Sequence, residues 1–231
     1  MRRLLPLLVI AAVGACAHEG DEPMIILGNT AQMEGSVTCS FTGDPTQPIT
    51  TSGVISTVSP SGYLASPLIQ SRITGTTDNE LERTIEIQGA IVQLSVPNGS
   101  QPIDLDDNEA AFQALFSASV PPQSSVNVTF DLIPSSVVAK VAGLGSGSPV
   151  EVELVAQVTV YGLLGGDRVT AQPWQYPVTI CNDCVVSNDG VCPLTTTTIR
   201  VGDPCNIFQD GVVDCCTNPT TGALICPGPT M

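Results

Sequence analysis

The chain has 231 residues, with 22 acidic against 7 basic side chains and a formal net charge of −15. Such a field repels phosphate backbones, so nucleic-acid binding is excluded as a function. Charged residues make up only 13% of the sequence. Ser, Thr, Gly, Pro and β-branched residues dominate instead, which favours strands and turns over helices.

The first fifteen residues have the pattern of an export signal. Arg2 and Arg3 form a short basic region, and residues 4–15 carry no charge. Twelve helical residues span roughly 18 Å, too short for the roughly 30 Å hydrocarbon core of a bilayer. We therefore interpret residues 1–15 as a signal peptide. The alternative, an N-terminal core helix, is disfavoured by Pro6.

The end of this segment carries a recognisable motif. Residues 13–16, Val-Gly-Ala-Cys, resemble the lipobox of bacterial lipoproteins, in which an aliphatic and two small residues precede the lipidated cysteine. The resemblance implies that Cys16 is lipidated and that its acyl chains hold the protein on the membrane. In that class, Ala17 rather than Asp after the cysteine is typical of the outer membrane. The competing interpretation is ordinary signal cleavage near Ala15 or Ala17.

Residues 16–23 then form the lipidated cysteine and a short acidic tether. Loss of Arg2 and Arg3 with the signal peptide changes the net charge from −15 to −17. We interpret this acidity as solubility outside the cell, with a cation-binding surface as the alternative. His18 is the only histidine, and no catalytic or ligand role is expected for it in a tether.

Strand patterns recur over residues 24–180, where apolar and polar residues alternate. The predicted strands cover residues 36–41, 53–58, 62–73, 83–96, 126–132, 150–160 and 168–180. The alternation in 83–96 changes parity near Gly89 and Ala90, which predicts a β-bulge there. A turn over 162–167, containing Gly165 and Gly166, predicts a hairpin.

Two segments have helical features. Residues 106–118 begin with capping residues and helix formers, yet Phe112, Ala114 and Phe116 alternate as in a strand, so both structures stay open. Residues 134–144 predict one short turn of helix, with Pro leading and Gly143 closing it. Trp174, the only tryptophan, is expected to pack in the core or at an edge.

This many short strands with Gly and Pro punctuation predict an all-β fold, an antiparallel β-sandwich over residues 24–180. The organisation resembles immunoglobulin-like or fibronectin-like domains of bacterial surface proteins. The likeness is architectural only, because the Cys–Trp–Cys spacing of true immunoglobulin domains is absent.

Nine cysteines give a second structural prediction. If Cys16 is lipidated, eight remain, an even number that fits four disulfides in an oxidising compartment. These eight are Cys39, Cys181, Cys184, Cys192, Cys205, Cys215, Cys216 and Cys226. Seven lie after residue 180, so one of them must bridge to Cys39 if every thiol pairs within the chain. Cys215 and Cys216 are adjacent and are expected to have different partners.

Residues 181–231 are rich in Cys, Thr, Pro, Asn and Asp. We interpret them as a disulfide-rich, mostly irregular C-terminal appendage that cannot build a core alone. This layout, a strand running into a cysteine-rich end, is similar to that of uncharacterised envelope lipoproteins from myxobacteria and their relatives. The similarity implies no activity.

Motifs for metal and redox chemistry give no strong site. The Cys181–Cys184 pair follows a strand outside any βαβ unit, which favours a structural disulfide over thioredoxin-like catalysis or zinc. The run from Asp104 to Asn108 begins like a calcium loop, but Glu109 and Leu115 replace the Gly and Glu of an EF-hand. A looser calcium site and a solvated acidic turn remain as alternatives.

The sequence therefore predicts no catalytic residue, no metal and no cofactor. There is no Gly-x-Ser-x-Gly elbow, and the single histidine lies in the tether. We expect an exported, lipid-anchored protein of the bacterial envelope, in the outer membrane, with a structural or binding role. One alternative is a carbohydrate- or protein-binding surface domain that uses the loops at one end of the sandwich. The other is a hydrolase built on paired carboxylates.

Overall fold

The structure is a computed structural model that describes residues 22–31, 38–74, 83–145, 150–182, 184–195 and 198–228. The signal peptide and Cys16, the predicted lipidation site, lie outside these residues, as does His18. The strands are β1 Met24–Thr30, β2 Ile49–Thr50, β3 Gly53–Ser56, β4 Tyr63–Ala65, β5 Pro67–Ser71, β6 Ile85–Ser95, β7 Ala111–Val120, β8 Ser125–Asn127, β9 Phe130–Ile133, β10 Glu151–Leu164, β11 Asp167–Thr170, β12 Trp174–Cys181, β13 Val186–Val191, β14 Val213–Thr217 and β15 Leu224–Ile225. The helices are α1 Asp107–Ala110 and α2 Ser135–Leu144.

Most strands belong to two sheets. The larger sheet has the order β3-β12-β10-β6-β7, with β11 also pairing with β10. The smaller has the order β2-β1-β5-β8, and a separate pair joins β4 to β9. Strand pairing is antiparallel except for β12 with β3 and β13 with β14. The all-β prediction is confirmed.

One hydrophobic core takes side chains from both sheets. Met24 and Ile69 come from the smaller sheet, and Val92 and Val158 come from the larger one. The cause is visible in β10, where residues 152, 154, 156, 158 and 160 are buried while Glu151 and Glu153 are exposed. Period-two alternation places one face of a strand in the core and the other towards water.

The predicted bulge in β6 is present. Against β10 the extra residue lies in β6, between Ile87 and Gly89, whereas against β7 the extra residue lies in β7, between Leu115 and Ala118. Gly89 has φ +155°, and a Cβ there would collide with the carbonyl oxygen of Ala114. Only glycine fits this backbone, so the bulge is encoded by that residue.

Residues 106–118 combine both of the structures that the sequence left open. α1 is a single turn in which the Glu109 carboxylate accepts a hydrogen bond from the Asp106 backbone N–H at 3.0 Å. β7 begins at the next residue, with alternate side chains half-buried. The capping residues encode the helical turn α1, and the alternation that follows them encodes strand β7.

Four predicted strands differ from the structure. Residues 62–73 divide into β4 and β5, which belong to different sheets. Of the predicted strand 36–41, residues 36 and 37 lie outside the described residues. Residues 38–41 form no strand, because Cys39 is bonded to Cys205 and this segment does not pair with a strand of either sheet. Residues 168–180 form two strands broken at Pro173, which has no backbone N–H to donate. Residues 126–132 divide into β8 and β9, which pair with β5 and β4.

Other predictions in this region are close to the structure. β10 and β11 form the predicted hairpin through Gly165 and Gly166. α2 is longer than the one turn predicted, ten residues that bury Val137, Val138 and Val141. Within the described residues, no helix has both the length and the apolar character needed to cross a bilayer.

The cysteine-rich segment is more ordered than predicted. Strands β13, β14 and β15 form a three-stranded sheet of their own. All eight cysteines are paired, as Cys39–Cys205, Cys181–Cys184, Cys192–Cys216 and Cys215–Cys226. The predicted disulfides are therefore present, the tail is bridged to Cys39, and the adjacent Cys215 and Cys216 have different partners.

Candidate functional site

One edge of the larger sheet, strand β3, is covered by the C-terminal segment. Ser56 donates its backbone N–H to the Phe208 carbonyl at 2.9 Å, and Asp210 donates its own to the Val54 carbonyl at 2.9 Å. The Asp210 carboxylate accepts the Val54 N–H at 2.8 Å. Residues 206–211, which we call the tail loop, thus take the place of a neighbouring strand.

A polar network holds the tail loop against both sheets. The Tyr63 hydroxyl donates to the Asp210 carboxylate at 2.7 Å and lies 3.0 Å from the Tyr176 hydroxyl. Tyr176 in turn contacts Thr50 at 2.7 Å and accepts from the Asn29 amide at 3.3 Å. The two tyrosines are fully buried and Asn29 is 3% exposed, so each polar group depends on the others for its hydrogen bonds.

Two amide side chains of the tail loop extend this docking to the turn before β4 and to β4 itself. Gln209 accepts the Leu64 N–H at 2.8 Å and donates to the Leu64 carbonyl at 2.7 Å. Asn206 donates to the Gly62 carbonyl at 3.0 Å. The Gln209 side chain therefore satisfies both backbone groups of one residue, as a paired strand would.

A cavity of about 220 Å³ lies where the tail loop meets the sheets; we call it the junction cavity. Its lining includes Phe41, Thr30 and Thr50 together with two acidic residues, Asp203 and Asp210. Desolvation raises the pKa of both carboxyl groups above their usual range. No pattern in the sequence singles out this pair of carboxyl groups.

Both carboxylates are already used by the fold. Asp203 accepts the Cys205 N–H at 2.6 Å. Asp210 accepts hydrogen bonds from Val54, Tyr63 and Gln209. Burial, and then the Asp210 charge, raises the pKa of Tyr63 well above its usual range, which keeps its hydroxyl a donor. The bonds to Asp210 position the tail loop against β3 and β4, and the bond to Asp203 orders the turn that precedes this loop.

The calcium-like run that begins at Asp104 is contacted by a cationic side chain of the same chain. The Lys140 ammonium, from α2, lies 3.2 Å from the Asp104 carbonyl, 2.9 Å from Asp106 and 2.6 Å from Glu109. Hydrogen bonding to Lys140 lowers the pKa of Glu109, and the same contact raises the pKa of Lys140. The ammonium takes the position among oxygens that a cation would need. Among the described residues, no three acidic, His or Cys side chains form a group suited to a metal.

The opposite edge of the larger sheet, strand β7, borders an open groove. The groove has a volume of about 460 Å³ and runs between β7 and β9. Phe112, Ala114, Phe130 and Pro134 supply its apolar lining, and Asp131 lies at its side. Leu115 is 77% exposed on the same strand. Within the described parts of the chain, β7 pairs only with β6.

The cysteines that the sequence predicted as disulfide partners lie in two regions of the molecule. Cys39 and Cys205 lie at the covered edge, while the other six paired cysteines lie at or beyond the end of β12. Trp174 packs on Tyr176 with ring centroids 4.9 Å apart, so it has a packing role. Sequence reasoning did not predict that Tyr63, Asn206 and Gln209 belong to this site. The one relevant signal was the cysteine count, which predicted a bridge from the C-terminal segment to Cys39.

No protein-family model matches the chain. The search of curated proteins returned no match, and neither did the search of solved structures.

Proposed function

We propose that this chain is an exported, lipid-anchored protein of the bacterial envelope, held in the outer membrane by Cys16, with a structural or binding role and no catalytic activity. The observation that supports a structural role is the use of Asp210 to hold the tail loop through Tyr63 and of Asp203 to order the preceding turn through the Cys205 N–H. Four disulfides support an oxidising compartment. The lipobox-like residues 13–16 support the anchor.

Within this proposal the domain is an immunoglobulin-like sandwich. The order β12-β10-β6-β7 corresponds to strands G, F, C and C′, and β1-β5-β8 corresponds to A, B and E. The shared core of the two sheets supports the same assignment. The chain departs from the family in two ways. It lacks the Cys–Trp–Cys spacing, and the described residues contain no strand in the D position beside β8.

Mass spectrometry of the mature N-terminus tests the anchor. We expect a chain that begins at Cys16 and carries the mass of its acyl groups, recovered in the membrane fraction. The Cys16→Ala variant is the matched control, and it should lose both the acyl mass and the membrane fractionation. An unmodified mature chain that begins at residue 17 or later would refute the anchor.

A carbohydrate-binding role is the second candidate, and the junction cavity favours it. The lining combines the aromatic Phe41 with the polar Asp203, Thr30 and Thr50, and small-ligand sites combine apolar and a few polar groups in this way. A glycan array should then show binding that Phe41→Ala removes and that Phe112→Ala, in the groove at the other edge, leaves intact. Binding with turnover that Asp203→Asn abolishes would support the hydrolase instead.

A further inference from the structure

We propose that β7 is a self-pairing edge, through which two copies of this chain form a symmetric dimer. The occupant of the groove between β7 and β9 is the β7 strand of the second copy, added antiparallel to the larger sheet. This inference goes beyond the proposed anchor and does not depend on it, since the strand would pair in the lipid-free protein as well.

The first argument is the lack of protection on β7. Natural sheets protect their edges with charged side chains, prolines, bulges, short strands or covering segments, because a bare edge pairs with other chains. β7 has ten residues and contains neither a charge nor a proline. Its one irregularity is an extra residue, relative to β6, between Leu115 and Ala118. The other edge of the same sheet is covered by the tail loop. A long edge with so little protection is expected where another strand pairs with it.

The second argument is the self-complementary order of side chains on β7. An antiparallel pair centred on Leu115 places each residue opposite the one at equal distance on the other side. On the half-buried face, Phe112 then lies opposite Ala118 of the second copy, and Ala114 lies opposite Phe116. Each large ring meets a small residue, so the facing side chains of the two strands interdigitate without a clash. Two Leu115 side chains, each now 77% exposed, meet at the axis.

The groove provides room for the added strand. A strand that extends the sheet beyond β7 lies over β9, and its inward phenylalanines point towards the apolar lining formed by Phe130 and Pro134. Phe130 already stacks with Phe116 of its own chain, with centroids 5.1 Å apart. The second copy therefore continues an aromatic cluster, and the contact is isologous, as a twofold dimer requires.

Charge favours a second copy over a basic partner. A partner rich in Lys or Arg needs carboxylates on the surface it contacts, and β7 itself carries none. Asp131 and Glu86 lie only at its flanks. The remaining acidic surface of the two copies repels at long range. Added salt screens this repulsion, so the dimer should become stronger as ionic strength rises.

Sedimentation of the mature chain, with Cys16→Ser to omit the lipid, tests the proposal. One paired strand buries a small interface, so we expect a dimer with Kd of about 10 to 100 µM. Leu115→Lys places two like charges together at the axis and should raise Kd at least about tenfold. The matched control is Val191→Lys, since Val191 is 64% exposed on β13, and it should leave Kd unchanged. A monomer up to about 1 mM, or equal effects of the two lysines, overturns the proposal.

Disulfide trapping tests the register and keeps the proposal falsifiable if the lysine variant folds poorly. Leu115→Cys lies on the proposed axis and should form a covalent dimer under mild oxidation. Gln113→Cys is the matched control, because Gln113 lies opposite Ser117 of the second copy and should remain monomeric on a non-reducing gel. Cross-linking at 113 and not at 115, or at neither, contradicts the pairing centred on Leu115.

Discussion

The two edges of the larger sheet are treated in opposite ways. At β3, a four-residue strand is covered by the tail loop, which is fixed by the Cys39–Cys205 disulfide and by the Tyr63–Asp210 contact. At β7, a ten-residue strand without charges is left beside an open groove. The difference shows that the cysteine-rich segment covers one edge of the sheet. The other edge, β7, has its backbone groups available for pairing with another strand.

Removing the disulfide that fixes the cover should have the largest effect on stability. Cys39 and Cys205 are 166 residues apart, whereas Cys181 and Cys184 are three apart. From loop-closure entropy we expect Cys39→Ser with Cys205→Ser to cost about 5 kcal/mol, and Cys181→Ser with Cys184→Ser about 2 kcal/mol. Urea denaturation of the two double variants measures the difference. Equal losses would mean that the tail loop is held without its covalent link.

The position of the open edge strand β7 should depend on the backbone conformation of β6 at Gly89. Gly89→Ala forces a side chain onto a positive φ and against the Ala114 carbonyl of β7, at a cost of about 2 to 4 kcal/mol. Gly99→Ala is the control, because Gly99 also has a positive φ but has open space around it; about 1 to 2 kcal/mol is expected. Thermal unfolding compares them. If the two losses were alike, close packing between β6 and β7 would not fix the edge.

At the covered edge, the Tyr63 hydroxyl should matter more than a tyrosine hydroxyl elsewhere. Tyr63→Phe removes one donor to Asp210 and the contact with Tyr176, for a loss of about 1 to 3 kcal/mol. Tyr161→Phe removes only the hydrogen bond from Gln113 and should cost about 1 kcal/mol or less. Chemical denaturation at neutral pH distinguishes the two. A larger loss for Tyr161→Phe would contradict the importance of the junction network.

The smallest effect is a pH dependence of opposite sign at two tail carboxylates. Desolvation raises the folded pKa of Asp210, so its contribution to stability is present below its ordinary pKa of about 3.9 and is lost as pH rises above that value. Hydrogen bonding from Arg200 lowers the folded pKa of Asp214, so its contribution is present above about 3.9 and is lost as pH falls.

Unfolding free energies measured across the acid range test these signs. The advantage of the wild type over Asp210→Asn should grow as pH falls, and its advantage over Asp214→Asn should shrink. The asparagine at 210 leaves the backbone unstrained, because Asp210 has φ +54° and asparagine accepts that conformation well. The same slope for both variants would show that Asp210 is solvated rather than held in the junction.

Local patterns predicted most of the strands and failed where a residue serves a distant partner. β10 followed from period-two alternation, and the β6 bulge followed from a change of parity at Gly89, because both depend on neighbouring residues. The predicted strand over 36–41 was wrong in its described part, since Cys39 is used by a disulfide. An alternating pattern does not reveal that kind of constraint.

The contacts of the tail loop could not be predicted from the sequence for a related reason. Gln209 bonds to Leu64, which lies 145 residues earlier in the chain. Asn206, Gln209 and Asp210 are residue types common in any polar turn, so their identity does not indicate a partner. The cysteine count was the one sequence feature that predicted a contact over such a distance, because an odd number of thiols in the C-terminal segment requires one bridge to Cys39.

The late position of the tail loop has a consequence during synthesis of the chain. Strand β3 is synthesised early, yet the segment that covers its edge follows about 150 residues later. A nascent chain that ends before residue 205 has no cover on either edge of its larger sheet. Premature termination would therefore leave an intermediate with two uncovered strand edges, and such a species is prone to aggregate.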